Sequence, residues 1–194
     1  MTTWQSSTPV TVAKRFQQVR QQTLALCAGL SAEELLVQSM PDASPGKWHL
    51  AHTSWFFEQF VLGRNPAYRP RNPAWLYLFN SYYQSVGPMH ARPHRGLLSR
   101  PSLDEVRAYR QYIDDAVGEL LIGDDDPELT ALVELGLQHE QQHQELLLTD
   151  IKHAFWCNPL QPAYWRHRRR AWRDADTATL CRWSRRHHRD RPSW

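Results

Sequence analysis

Three histidines stand at spacings that could bring their side chains to one metal ion. His139 and His143 are four residues apart in a segment with helical periodicity, so their imidazoles share one helix face. His52 occupies a second predicted helix, on the same face as Trp48 and Trp55. Buried imidazoles need partners for their ring nitrogens, and one divalent ion satisfies several of them at once. The pattern predicts a three-histidine metal site with open coordination positions.

The angular position of each histidine around its helix predicts whether it faces the protein interior. Relative to Trp48, His52 lies at about 40°, whereas His49 lies at about 100° and is expected to be peripheral. Three leucines lie within about 40° of His139 on the other predicted helix: Leu132, Leu135 and Leu146. We therefore expect His139 and His143 to face the interior together with these leucines.

Residues 139–143 read His-Glu-Gln-Gln-His, which also matches the HExxH motif of zinc metalloproteases. In that motif the glutamate acts as a general base and a third metal ligand follows downstream. Here Thr149 stands where the extended motif has histidine, and no glutamate follows Glu145 to serve as a distant ligand. Protease chemistry is therefore kept as a distant alternative.

Four amphipathic segments must position these histidines. Apolar residues recur at steps of three and four over residues 11–30, 45–62, 103–122 and 127–155. Helix starts are indicated by Ser44 before a proline, by Ser102 with Glu105, and by Asp126 before a proline. No segment alternates with the period of a strand. The sequence thus predicts an all-α fold, an antiparallel four-helix bundle with a long crossover loop between helices 2 and 3.

The predicted crossover loop covers residues 64–101 and is rich in proline and aromatic residues. We expect so long a loop to be ordered and functional. Its arginines Arg92, Arg95 and Arg100 are candidates to bind a substrate carboxylate, because a guanidinium matches a carboxylate with two parallel hydrogen bonds. The alternative is that they are solvated loop charges. Gln142 is a further candidate contact to a substrate, close to the predicted metal.

The net charge of +3 is unevenly distributed along the 194 residues. Residues 166–194 carry ten arginines against three aspartates, with few aliphatic residues to form a core. We therefore divide the chain into a helical metal-binding domain, residues 1–163, and an Arg/Trp-rich tail, residues 164–194. We interpret the tail as disordered or as a frameshift product. The alternative is that the tail is an arm that binds nucleic acid. We expect no other part of this chain to bind nucleic acid.

Two further features predict a cytoplasmic protein without a membrane partner. No stretch approaches the roughly 18 apolar residues of a spanning helix, and the N-terminus lacks the layout of a signal peptide. The three cysteines are widely separated and form no CxxC motif. This spacing argues against both a disulfide framework and a cysteine zinc site.

Four motifs occur in a specific order along the chain. They are residues 38–58, which contain Trp48-His-Leu-Ala-His52; residues 79–83, Phe-Asn-Ser-Tyr-Tyr; residues 95–101, Arg-Gly-Leu-Leu-Ser-Arg-Pro; and residues 138–146, Gln-His-Glu-Gln-Gln-His-Gln-Glu-Leu. Together they resemble the DinB-like N-terminal domain of the ergothioneine-type iron(II) sulfoxide synthases, over residues 10 to 163. The resemblance implies that His52, His139 and His143 are the iron ligands.

The resemblance also implies an activity. Enzymes of that family use iron(II) and O2 to join a thiol, cysteine or γ-glutamylcysteine, to trimethylhistidine, forming the C–S bond and the sulfoxide. Zinc or another divalent ion is the alternative cofactor, because imidazoles bind zinc at least as tightly. The family has a second domain, similar to formylglycine-generating enzyme, which supplies a catalytic tyrosine. This sequence contains no counterpart, so we expect a separately encoded domain as a possible partner and assign no catalytic residue to the chain.

Two other functions remain open. DinB-like folds with a histidine triad also serve thiol transferases, which use zinc or another divalent ion and a low-molecular-weight thiol. The chain could also be a non-catalytic metal-binding remnant or one subunit of a split enzyme. Since a fold alone does not fix a function, only the motifs favour the sulfoxide synthase interpretation.

Overall fold

The computed structural model describes residues 11–81, 83, 86–123 and 126–164, and these residues form helices and connecting segments without any strand. The helices are α1 (Val12–Cys27), α2 (Gly46–Phe60), α3 (Pro73–Phe79), α4 (Leu103–Leu120) and α5 (Pro127–Cys157). Two short 3-10 helices cover Leu62–Arg64 and Arg92–Leu97. The predicted all-α class is confirmed. No described helix combines the length and the apolar character that crossing a membrane requires.

Helix starts follow the predicted capping residues at α4 and α5 but not at α2. Ser102 accepts the backbone N–H of Glu105, whose side chain accepts the Ser102 backbone N–H in return. Asp126 caps α5 in a similar way by accepting from the backbone of Glu128. At α2 the N-cap is Pro45, and the hydroxyl of Ser44 instead accepts a hydrogen bond from a distant arginine side chain. The Ser44 side chain therefore holds Arg95 rather than capping α2.

The predicted crossover loop contains a short helix that the periodicity of the sequence did not predict. Asn72 caps α3 by accepting from the backbone N–H of Ala74, and Pro73 occupies the first helical turn. The loop is also anchored to the rest of the fold. The Lys47 ammonium donates to the carbonyls of Leu98 and Pro101, at 2.6 and 2.8 Å. These hydrogen bonds fix the C-terminal end of a long connecting segment to α2.

A second anchor fixes the turn that carries the predicted substrate arginines. The Gln38 side chain donates to the carbonyl of Arg92 at 2.8 Å and accepts from the backbone N–H of Gly96 at 2.6 Å. A Cβ at Gly96 would lie 2.7 Å from the Gln38 Cβ, closer than van der Waals contact allows. Glycine at this position therefore lets the turn approach Gln38 closely enough to form both bonds.

α2 is the central helix of the fold. It packs against α3, α4 and α5, and every residue from Gly46 to Glu58 is buried. α1 packs against α5 and α4. The close approach of α2 to α5 depends on Gly136, where a Cβ would lie 2.5 Å from the ring of Phe57. The absence of a side chain at this position brings together the two helices that carry the histidines.

A buried ionic network joins α5 to α1 and α4. The Glu140 carboxylate is fully buried and is paired with the guanidinium groups of Arg20 and Arg110. Thr23 donates a further hydrogen bond to the same carboxylate. Burial alone would raise the pKa of Glu140, but Arg110 and Arg20 outweigh it and lower that pKa to about 2. Glu140 is therefore ionised in the core.

The predicted boundary between the bundle and the tail falls close to the last described residue. The Tyr164 hydroxyl donates to the backbone carbonyl of Leu26 at 2.6 Å, and Tyr164 belongs to the same unit as the helices. Residues 165–194 lie outside the described residues. The interpretation of the tail, as disordered, frameshifted or nucleic-acid-binding, therefore stays a prediction.

Replacing Glu140 with glutamine tests the buried network. We expect Glu140→Gln to lower the free energy of unfolding by about 3–5 kcal/mol, because two guanidinium groups stay buried without their countercharge. Glu134→Gln on the same helix is the matched control, since its partner Arg15 is partly exposed. That change should cost less than about 1 kcal/mol in urea unfolding. Equal effects of the two substitutions would contradict the assigned role of the network.

Candidate metal centre

The three predicted histidines lie together between α2 and α5. One ring nitrogen from each of His52, His139 and His143 lies within 4.8 Å of the other two. The ring centroids are separated by 4.5 to 5.0 Å. This group could hold a divalent metal ion.

The imidazole of His52 is fixed in both position and tautomer. Its ring is stacked between Trp48 and Trp55, at centroid distances of 4.5 and 5.5 Å. Its Nδ1 lies 2.6 Å from the carbonyl oxygen of Phe79, which can only accept a hydrogen bond. Nδ1 therefore carries the proton, and Nε2 presents a lone pair.

The lone pair of His52 faces a second ring nitrogen. Its Nε2 lies 3.2 Å from Nε2 of His139, whose Nδ1 is buried and has no hydrogen-bond partner among the described residues. Metal–nitrogen bonds of about 2.0–2.1 Å at tetrahedral or octahedral angles place two ligand nitrogens about 2.8–3.4 Å apart. The observed separation fits two ligands of one ion.

Burial keeps these imidazoles uncharged near neutral pH. It lowers the pKa of His139 to about 4, and it also lowers the pKa of His52 and of His143 below the usual range for histidine. Neighbouring imidazoles lower the pKa of His52 and His143 further. Metal ligation requires the neutral form, so the donor set needs no deprotonation at neutral pH.

The expectation that His49 is peripheral was wrong. His49 is only 2% exposed, and its Nδ1 lies 2.9 Å from Nδ1 of His143. Its other nitrogen, Nε2, lies 3.1 Å from the Asp150 carboxylate. Since α2 is buried on all sides, an angle of 100° away from Trp48 still leads into the interior rather than to solvent.

The expected burial of the leucines on the histidine face of α5 holds for Leu132, which is partly buried against the core, but was wrong for Leu135 and Leu146. Leu135 is 57% exposed and Leu146 is 37% exposed. The buried face of α5 instead carries Val133, Leu137 and Glu140. Because the ionised Glu140 belongs to the core face, a prediction from apolar residues alone rotates the helix incorrectly. His139 and His143 lie at the border of the core, which leaves the site open to ligands.

The buried network also bears on the HExxH alternative. Arg20, Arg110 and Thr23 together engage both oxygens of the Glu140 carboxylate. A general base needs an accessible oxygen within reach of the proton that it removes. Glu140 therefore serves the core, and protease chemistry lacks its base.

A cavity of about 210 Å³ opens beside the three histidines. Of the predicted substrate contacts, Arg92, Arg95 and Gln142 line this cavity. Arg100 lies outside it: its guanidinium faces Glu105 at 3.5 Å, and its side chain is 83% exposed. The 3-10 helix that carries Arg92 and Arg95 faces the site, whereas Arg100 lies beyond the end of that helix.

Arg95 is built into the wall of the cavity. Its guanidinium carbon lies 3.4 Å from the ring centroid of Trp48, and its two terminal nitrogens donate to the hydroxyls of Ser44 and Ser81. Arg95 is 3% exposed. Trp48 stacks on His52 in turn, so a fixed positive charge lies two rings away from the candidate metal position.

An apolar cavity of about 390 Å³ adjoins His139. Its lining includes Phe56, Phe60 and Tyr83, with Leu132 and Leu135 from α5. His139, Gln142 and Tyr83 line both cavities. The site therefore has a cationic side and an aromatic side that meet at His139.

Several residues that line the cavity were not predicted as site residues: His49, Asp150, Ser44, Ser81 and Tyr83. A usable signal existed for Asp150, which stands seven residues after His143 and therefore on the same helix face. Ser44 was interpreted as a helix cap. Ser81 and Tyr83 come from the crossover segment, whose path no helical periodicity predicts.

The comparisons with known proteins assign a family. The model of the DinB superfamily matches residues 15–147, which include all three histidines and most of the cavity lining. No curated protein matches the chain. Proteins of this superfamily are typically metal-binding.

Alanine at any of the three histidines tests the metal centre. We expect His52→Ala, His139→Ala and His143→Ala each to abolish retention of a divalent metal ion after anaerobic purification, because two imidazoles bind such an ion far more weakly than three. His153→Ala on α5 is the control, since His153 bonds to Ser39 instead. Metal content is measured by elemental analysis. Full retention in the three variants would contradict the assignment.

Proposed function

The chain belongs to the DinB superfamily, and on that premise we propose that it is the iron(II)-binding domain of an ergothioneine-type sulfoxide synthase. The proposed reaction joins a cysteine-type thiol to trimethylhistidine with O2. The proposal includes a cytoplasmic location and a separately encoded partner domain, similar to formylglycine-generating enzyme, that completes the site. Iron(II) is the proposed ion, with zinc as the alternative.

One observation carries this proposal: three neutral imidazoles face a cavity whose other wall holds the guanidinium group of Arg95. Neutral ligands leave the charge of a divalent ion uncompensated, which favours an anionic ligand such as a thiolate. When bound, iron supplies a Lewis acid and a binding position for O2. The residues of the chain supply the ligands, the orientation and the fixed charges.

Arg95 is the residue best placed to orient a thiol substrate. Its charge is buried and held by Trp48, Ser44 and Ser81, so it does not need to rearrange when an anion arrives. A carboxylate that faces Arg95 or Arg92 would place the thiol of a cysteine-type substrate towards the three histidines. The small polar cavity suits a compact amino acid.

The aromatic cavity suits the second proposed substrate. Trimethylhistidine carries a quaternary ammonium group, and such cations bind over the faces of aromatic rings. Phe56, Phe60 and Tyr83 line this cavity, and the Phe56 ring stacks on His139 at a centroid distance of 4.3 Å. Because His139 lines both cavities, the two substrates would meet beside it, and C–S bond formation requires their reacting atoms to lie close together.

The second candidate function is a metal-dependent thiol transferase. The adjoining apolar cavity, with Leu132 and Leu135 in its lining, could equally receive an apolar electrophile. Such a transferase would use zinc or another divalent ion bound to the same histidines, and it would not need O2. A metal-binding remnant without catalysis is the third possibility.

Oxygen consumption separates these functions. With the iron-loaded chain, cysteine and trimethylhistidine, we expect O2 uptake to be feeble alone and to rise when a formylglycine-generating-enzyme-like domain is added, because that domain completes the site. An oxygen electrode and mass spectrometry of the sulfoxide product measure this. Thiol transfer to an electrophile without O2 would favour the transferase instead. Metal binding with neither reaction would favour the non-catalytic metal-binding remnant.

Arg95 and Arg100 form a matched pair for the substrate site. We expect Arg95→Gln to weaken cysteine binding to the metal-loaded protein about tenfold or more, because a charge-assisted hydrogen bond contributes about 1.5–3 kcal/mol. Arg100→Gln should change binding less than about twofold, since Arg100 is exposed and paired with Glu105. Calorimetric titration measures both dissociation constants. A weaker affinity in Arg100→Gln alone would overturn this assignment of the substrate side.

A further inference from the structure

A chain of three polar side chains links α2 and α5 behind the candidate metal centre. The Asp150 carboxylate lies 3.1 Å from Nε2 of His49, and Nδ1 of His49 lies 2.9 Å from Nδ1 of His143. The backbone N–H of Ser44 donates to the same Asp150 oxygen at 2.8 Å. The carboxylate is thus fixed by the segment that leads into α2.

Only one arrangement of protons satisfies all these contacts with neutral imidazoles. A carboxylate accepts, so Nε2 of His49 carries its proton and donates to Asp150. Nδ1 of His49 is then unprotonated and accepts from Nδ1 of His143. His143 therefore carries its proton on Nδ1, and its Nε2 presents a lone pair. This is the nitrogen that remains to face His52 and His139.

We propose that Asp150 and His49 are positioning residues that hold His143 in the tautomer and ring orientation needed to bind a metal through Nε2. This inference rests on the metal centre of the proposed function and is independent of the sulfoxide chemistry. Neither residue is a ligand: the nitrogens of His49 are both engaged, and His49 is not part of the three-histidine group. They act on the metal only through His143.

His52 and His143 are each oriented by a hydrogen bond at Nδ1. His52 is oriented by the carbonyl of Phe79, a neutral acceptor, whereas His143 is oriented through His49 by an anionic one. A carboxylate at the end of such a chain makes the ligating imidazole more basic and fixes its ring plane. The hydrogen bonds from His49 to His143 and Asp150 also join α2 to α5, the two helices that carry the candidate ligands. They therefore fix the distance between the ligand nitrogens of these helices.

Burial strengthens the hydrogen bonds that join Asp150, His49 and His143. The side chain of His49 is 3% exposed and that of Asp150 is 13% exposed. In so dry a place a hydrogen bond is stronger than in water, and an unpaired ring nitrogen is costly. His143 therefore has little freedom to flip its ring or exchange its tautomer.

The zinc affinity of the full-length protein tests the proposal. Competition with a chelating dye is measured for the wild type, Asp150→Asn and His49→Phe. The asparagine side chain would keep an acceptor oxygen but not the charge, and the phenyl ring keeps the volume of His49 without its nitrogens. We expect both variants to bind zinc about 10–100-fold more weakly than the wild type, the usual effect of losing such an outer partner.

Two controls match these changes on α5. Glu145→Gln removes an exposed carboxylate, and His153→Phe removes an imidazole that bonds to Ser39. Neither residue lines the cavity, so both variants should bind zinc as the wild type does. Thermal unfolding of the metal-free proteins shows whether any variant is less stable before the metal is added.

Each outcome decides between the alternatives. If the wild type binds no zinc, the metal centre itself fails. If the wild type binds and Asp150→Asn and His49→Phe bind equally well, the metal centre stands and the positioning role is overturned. If a variant loses both affinity and metal-free stability, the cobalt(II)-substituted protein is compared at saturation. A shifted d–d absorption supports the reorientation of His143, and an unchanged spectrum overturns it.

Discussion

The rotation of α5 about its axis depends on a single buried carboxylate. Glu140 can enter the core only where Arg20 from α1 and Arg110 from α4 meet it, and this requirement fixes the face that α5 turns inward. His139 immediately precedes Glu140, so its side chain is turned about 100° away, towards α2 and the cavity. The ionic interaction that stabilises the bundle thus also directs the histidines.

The strongest sequence signals concerned the helices and the histidine triad. The capping box at Ser102, the Asp126 start of α5 and the grouping of His52 with His139 and His143 are present in the structure. These features depend on local chemistry and on helical periodicity, which one sequence reveals. α1 ends at Cys27 rather than at residue 30, because helix ends depend on weaker signals.

Other parts of the site depend on contacts that no local pattern encodes. His49 was misjudged because α2 is buried on every side, so angular position carries no information about exposure. The face of α5 was misjudged because a charged residue, Glu140, occupies the core. The turn around Arg95 is fixed by distant partners, such as Gln38 and Ser44, whose pairing follows only from the folded chain.

The stacking of His52 between Trp48 and Trp55 has a consequence for the entropy of ion binding at this site. Because packing and the Phe79 carbonyl immobilise this ring, its side-chain entropy is lost when the chain folds. A zinc finger shows the opposite order, since its ion assembles the fold. Here packing and a backbone carbonyl hold the ring, so a divalent ion that binds at this site would not have to order it.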